Sequence, residues 1–200
     1  ALEAMDVPFV RISPGTNHAL TSSVYMDDAQ AADDMTTHLI NAGHRRIGFI
    51  GGQSTLSTEQ ARFSGYVDAM ASAGSPVRPE WVHHGAQNAD EAHDVARAML
   101  AATDAPTAIF SGQNLITMGT VRALRELGRQ HRVALVGFDD FGMADLLEPA
   151  ITVVAQDARA IGHLAGELLF RRMGGDAEAP ATHVVPCTLV IRGSGEILPE

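Results

Sequence analysis

Two strand ends and one helix carry the side chains able to bind or transform a ligand. The run Val136-Gly137-Phe138-Asp139-Asp140 reads as an apolar strand that turns at a glycine and delivers two consecutive carboxylates at its carboxyl tip. The run Arg46-Ile47-Gly48-Phe49-Ile50-Gly51-Gly52 is a second apolar strand, ending in a glycine pair, and Arg62 follows on the next helical segment. In an open α/β sheet, ligands settle in the crevice outside the carboxyl ends of the strands. A guanidinium offers a planar fork of donors and a carboxylate offers acceptors. Arg62 and Asp139 facing one crevice would therefore clamp the hydroxyls or N–H groups of a small polar molecule. That chemistry holds a ligand rather than converting it. Each residue also has a plain structural role open to it. Asp139 or Asp140 can cap the turn that follows, and Arg62 can be a surface arginine paired with Glu59 or Asp68.

Other chemistries lack their residue patterns. Gly193-Ser194-Gly195 is not the G-x-S-x-G elbow of a nucleophilic serine, and Gly48 to Gly52 has neither G-x-G-x-x-G nor G-K-[ST] to cradle a phosphate. His83 and His84 with His93, or His38 with His44, have no recognised metal-ligand spacing, so no metal and no cofactor is expected. An α/β enzyme using Asp139 and Asp140 for acid–base or metal chemistry is the remaining enzymatic reading, and no triad or ligand set accompanies it. Cys187, the single cysteine, excludes an internal disulfide and fits a reducing compartment.

The 200 residues, 46% hydrophobic and 19% charged, suit a folded domain or two small lobes. The net charge of −10 argues against this segment gripping DNA by itself, since phosphate binding needs a basic patch. Apolar runs fall far short of the ~20 residues that span a bilayer, and no basic segment followed by an apolar one opens the chain.

The elements that must position these side chains alternate between strand-like and helix-like, the mark of a parallel sheet covered on both faces. Pro8 to Ile12 and Val24 to Met26 read as short strands. A helix from about Asp28 to Ala42 carries Ala32, Met35 and Leu39 on one stripe. After the strand Ile47 to Ile50, Ser57 and Gln60 have the spacing of a capping box for a helix bearing Phe63, Tyr66 and Met70 inward. Arg62 then lies near the start of that helix. Asn88 caps a third helix, the strand Thr107 to Phe110 precedes a fourth, and Val133 to Phe138 precedes the paired aspartates. Ile151 to Val154 leads into a helix from Asp157 to Met173. His183 to Ile191, broken by Pro186, reads as two edge strands.

Laid out in this order, the motifs resemble those of the lactose/galactose repressor family of bacterial transcription regulators. The matching stretches are Met35 to Gly48, Arg62 to Tyr66, Pro106 to Phe110, Val136 to Asp140, Glu148-Pro149 before Ile151 to Val154, Gly162 to Ala165, and Leu189 to Ser194. The resemblance implies a periplasmic-binding-protein-like type I core of the α/β class, with two doubly wound parallel-sheet lobes. On that template residues 27–154 and 186–200 form the C-terminal lobe. Residues 1–26 and 155–185 form part of an N-terminal lobe that is incomplete here, and the helix-turn-helix DNA-binding domain is absent. Strands of the incomplete lobe would then present an open edge prone to association.

The same resemblance assigns roles by position. Arg62 and Asp139 are expected to contact an effector, with Phe110 as an apolar wall, Gln113 as a polar contact and Gln156 as a hinge-side contact. Met118 and Leu147 are expected to face a second copy in a homodimer. Gln113-Asn114 replaces the family's usual Asn-Asp, and the connection Arg129 to Arg132 is short. The implied function is the effector-binding and dimerisation core of a cytoplasmic repressor. A small polar metabolite, sugar-like, would bind between lobes and alter operator binding allosterically, without membrane contact. The alternative is a periplasmic sugar-binding protein of a transporter, which shares the fold.

Overall fold

A computed structural model of the chain describes residues 7–13, 21–175 and 179–200. Parts of the segment 1–26 and of 155–185 that the resemblance assigns to an incomplete lobe, namely residues 1–6, 14–20 and 176–178, lie outside the described residues. The chain divides into two compact units, Ala1–Asp27 with Gln156–Cys187 and Asp28–Ala155 with Thr188–Glu200.

The larger unit is built on a six-stranded sheet. In chain order its elements are α1 (Asp28–Asn41), β2 (Ile47–Ile50), α2 (Ser57–Ser72), β3 (Val82–His83), α3 (Ala89–Ala101), β4 (Ala108–Ser111), α4 (Asn114–Glu126), β5 (Ala134–Phe138) and β6 (Thr152–Gln156), completed by β8 (Cys187–Val190). The strand order is β3-β2-β4-β5-β6-β8, and β2, β3, β4, β5 and β6 pair in parallel. The chain passes from β2 to β3 on one side and returns to β4 on the other, so the direction of winding reverses between β2 and β4. That reversal opens a crevice at the carboxyl ends of the two strands.

The central strands are buried along their whole length, as parallel strands covered on both faces require. Side chains alternate between the two faces. Ile50, Ile109, Leu135 and Val153 pack with Ala92, Ala96, Leu100, Ile116 and Leu124 from α3 and α4. On the opposite face Phe49, Phe110 and Tyr66 form an aromatic cluster, with Phe49 stacked on Phe110 and Tyr66 tilted against both. Each fully enclosed side chain of this size stabilises the fold by about 1.5–3 kcal/mol. Helix α2 closes on α1 at Gly65, where any Cβ would overlap the Ala29 carbonyl. The C-terminal segment is sewn onto the sheet by Ser194, whose hydroxyl donates to Leu135 O at 2.6 Å and accepts from Thr152 N at 2.9 Å. Buried His44 adds bonds to Ile197 O and Thr107 Oγ1. Burial lowers its pKa, which favours the neutral ring.

The smaller unit contains β1 (Ser23–Tyr25), α5 (Ala158–Met173) and β7 (Thr182–Val184), with β1 and β7 paired in parallel. Val24, Ile161, Ala165 and Val185 make its buried core. Pro8 to Ile12 does not form the strand the sequence suggests; a single bridge joins Arg11 to Ser23. His183 to Ile191 divides at Pro186 into β7 and β8, which join different sheets.

Helix starts follow local chemistry unevenly. Asn88 accepts from Asp90 N and Glu91 N, and Asp157 accepts from Ala160 N. The expected capping box of α2 does not form. Leu56 occupies the cap position without a side-chain bond, and the Gln60 amide donates to Ser54 O.

Candidate functional site

Arg62 sits on the second turn of α2, and the helix aims it at the carboxyl ends of β4 and β5. Its Nε donates to Asp28 Oδ1 at 2.8 Å, and its Nη1 donates to the Gly112 carbonyl at 2.7 Å. Asp139 Oδ2 lies 3.8 Å from Nη1, and the guanidinium carbon stands 3.9 Å from the centre of the Phe138 ring. Arg62 is 7% exposed and Asp28 4%. A buried ion pair needs every donor and acceptor used, and here a carboxylate, a carbonyl and an aromatic face surround one cation.

Asp139 directly follows β5, with φ of 67°. The left-handed region is uncommon outside glycine, and aspartate is among the residues that tolerate it. This conformation sends the neighbouring carboxylates to different places. Asp139 turns toward Arg62, whereas Asp140 is gripped by both terminal nitrogens of Arg192 at 3.0 and 2.8 Å. The Arg192 contact holds the Asp140 carboxyl below its ordinary pKa. Asp140 therefore ties the C-terminal segment to the β5 turn.

Two members of this cluster carry no signal in the sequence. Asp28 appears there only as the start of a helix, and the packing of α1 on α2 makes it the partner of Arg62. Glu59 reads as a surface helix acid. It is 1% exposed, and its carboxylate fills the space that side chains at Gly51 and Gly112 would need. Neither oxygen makes a hydrogen bond of normal geometry, although the Gly52 amide is near. Burial pushes the Glu59 carboxyl above its ordinary pKa, against the opposing pull of Gly52 and Arg62.

The remaining expected contacts lie in varied settings. Phe110 is fully enclosed, its ring 5.2 Å from Phe49 and 6.5 Å from Phe138. It is therefore a core residue in this structure rather than an open wall, because its register opposite Phe49 turns it toward the α1–α2 layer. Gln113 is half-buried at the cap position of α4, its side-chain amide lying against Gly52. Gln156 is exposed at the end of β6. Met118 is 41% exposed on α4, while Leu147 is partly buried against the α3–α4 core. Among the described residues no group of three His, Cys, Asp or Glu side chains could hold a metal ion. No described helix is long and apolar enough to cross a membrane.

An α/β fold hosts many functions, so the sheet and its Arg–Asp cluster do not by themselves fix the family. The family model for the periplasmic binding protein-like domain matches residues 36–195. The chain belongs to this family. The HTH-type transcriptional repressor PurR of Pasteurella multocida is 28% identical over 190 residues, covering 94% of the chain and 57% of the relative. The chain thus spans little more than half the length of that curated relative. A regulatory protein of the LacI family from Chloroflexus aggregans superposes with a TM-score of 0.90 at 25% identity, covering 96% of this chain and 70% of that one. The transcriptional regulator CelR, solved as a cellobiose complex, gives a TM-score of 0.84 at 29% identity, over 92% of this chain and 57% of that one. The periplasmic binding protein-like core described here is thus of the LacI type, in keeping with the motif order from Met35 to Ser194.

Proposed function

We propose that this chain is the effector-binding and dimerisation core of a DNA-binding transcription repressor, and that its effector is a small polar metabolite of the sugar class. The observation that carries this reading is the buried Arg62 held by Asp28 and the Gly112 carbonyl beside Asp139, at the carboxyl ends of β4 and β5. A guanidinium and a carboxylate brought together there offer donors and acceptors to the adjacent hydroxyls of one ligand. Gln113 beside Gly52 and Gln156 at the end of β6 complete the proposed contact set, with Phe138 supporting the guanidinium from within the core. Residues 27–154 with 186–200 are the proposed C-terminal lobe, and 1–26 with 155–185 the proposed part of the other.

The repressor and regulator names of the relatives support this reading over a transporter's binding protein. Operator contact belongs to a helix-turn-helix domain outside this segment, which fits the net charge of −10. The proposed setting is the cytoplasm, with no catalytic role and no cofactor. Effector binding shifts the core between two arrangements, by no more than its difference in affinity for them. Met118 and Leu147 are proposed to face the second copy.

A thermal-shift screen of neutral sugars, sugar acids and amino sugars tests the reading, since a ligand bound only by the native state raises the melting temperature. A hit should weaken at least about tenfold in Asp139→Asn. Equal affinity in wild type and this variant would place the ligand elsewhere. For the interface, Met118→Glu should shift the sedimentation coefficient from dimer to monomer at micromolar concentration, and an unchanged dimer would remove Met118 from it.

A further inference from the structure

Glu59 is a costly residue to place where it is. A carboxylate buried to this degree opposes folding, and the nearby Gly52 amide and Arg62 relieve that cost only in part. Asp28 on α1 and Asp139 after β5 face the same guanidinium that Glu59 faces from one turn earlier on α2. With all groups ionised, three carboxylates surround one arginine. Arg62 donates to Asp28 and to the Gly112 carbonyl and lies beside Asp139, so its single positive charge is shared among several acceptors. The crevice edge is therefore rich in acceptors and negative in charge. Gly51 and Gly112 keep it so, because a side chain at either would displace the Glu59 carboxylate.

We propose that Glu59 selects effectors that carry a protonated amine among their hydroxyls, the chemical class of amino sugars, over neutral sugars and against sugar acids and phosphates. This rests on the effector-site reading above. A cation at this edge supplies the positive charge that the buried acid lacks, and the low dielectric around Glu59 leaves that attraction poorly screened. A neutral polyol satisfies acceptors but not charge, and an anion satisfies neither. The amine also favours the ionised form of Glu59, whose pKa is raised in the free protein. At a pH where the free protein still holds the Glu59 proton, binding an amino sugar therefore releases that proton to the buffer.

The test uses the full chain and matched triplets: glucosamine, glucose and glucuronate, with the corresponding galactose and mannose forms. Calorimetric titration should show the amino form of one triplet binding about tenfold or more tighter than its neutral form, with no detectable binding of the acid. Glu59→Gln should bring amino and neutral forms within about twofold of each other. In the wild type, titrations at a series of pH values from the ordinary carboxyl value of 4.5 upward, each in two buffers of different ionisation enthalpy, should report proton release with the amine only somewhere in that series, a readout that does not depend on the variant folding. Neutral or acidic forms binding as tightly as the amine, a preference that survives in a folded Glu59→Gln, amine binding without proton release at any pH of the series, or no amine binding at all overturns the proposal. Sugars that bind without charge preference but weaken in Asp139→Asn would overturn this inference alone. Binding of no triplet member that is sensitive to Asp139→Asn would overturn the effector-site reading with it.

Discussion

At the carboxyl edge of the six-stranded sheet, Arg62 and Asp28 meet with side chains 9% and 3% exposed; at the amino edge, Arg132 meets Glu200 with both side chains more than 60% exposed. Both are arginine–carboxylate pairs, yet their energetics differ. The exposed pair competes with water and salt, so it contributes little. The buried cluster has lost its hydration and depends on every remaining contact, so removing one member is expensive. A fold selected for stability alone would fill that position with apolar side chains. The charged cluster stands at the carboxyl ends of the strands, whereas the exposed pair stands where strands begin.

The sharpest way to break the comparison is Arg62→Ala, which leaves Asp28, Glu59 and Asp139 facing one another without a cation. Urea unfolding should show a loss of about 3–5 kcal/mol, and a loss under about 1 kcal/mol would mean the cluster behaves like the exposed pair. Arg192→Ala is intermediate, because Asp140 is about one-third exposed and water compensates part of the lost pair. A loss of about 1 kcal/mol is expected from the same measurement.

Glu59→Gln sharpens the contrast through pH. The raised pKa means that the folded state holds the Glu59 proton more tightly than the unfolded chain. The wild type should therefore lose stability as pH rises above the ordinary carboxyl value of 4.5 and through the raised folded value. Glu59→Gln should lose less over that range, and parallel stability–pH curves would remove Glu59 as the source. The smallest effect belongs to the amino edge. Glu200→Gln should leave the melting temperature unchanged within error at physiological salt, and a clear drop would show that this pair is stronger than its exposure implies.

Residues whose roles depend on near neighbours in the chain are legible in the sequence. Asn88 and Asp157 read as helix caps because a cap bonds amides only two or three residues ahead. The strands around Phe49, Phe110 and Val136 read as buried because continuous apolar runs between turns suit a covered parallel sheet. Arg62 and Asp139 stand out by their nearness to strand ends. Glu59 does not: Ser57, Glu59 and Gln60 look like an ordinary polar helix start, and the space that buries Glu59 is left by glycines from two other elements. Ser57 and Gln60 likewise match a capping box that the loop from Ser54 replaces with another bond. Phe110 suits core and crevice equally by its type, and its register against Phe49 makes it core.

Alternating apolar runs, helix caps and turn glycines determined the order and type of the elements, because these signals act over a few residues through backbone hydrogen bonds and side-chain periodicity. Tertiary structure alone decided which charges became neighbours. Asp28 meets Arg62, Asp140 meets Arg192, and Glu59 fits between two glycines only once helices and strands have packed. Burial then sets the strength of those charges, since the dielectric around a side chain depends on everything folded over it and not on the residues beside it in the chain.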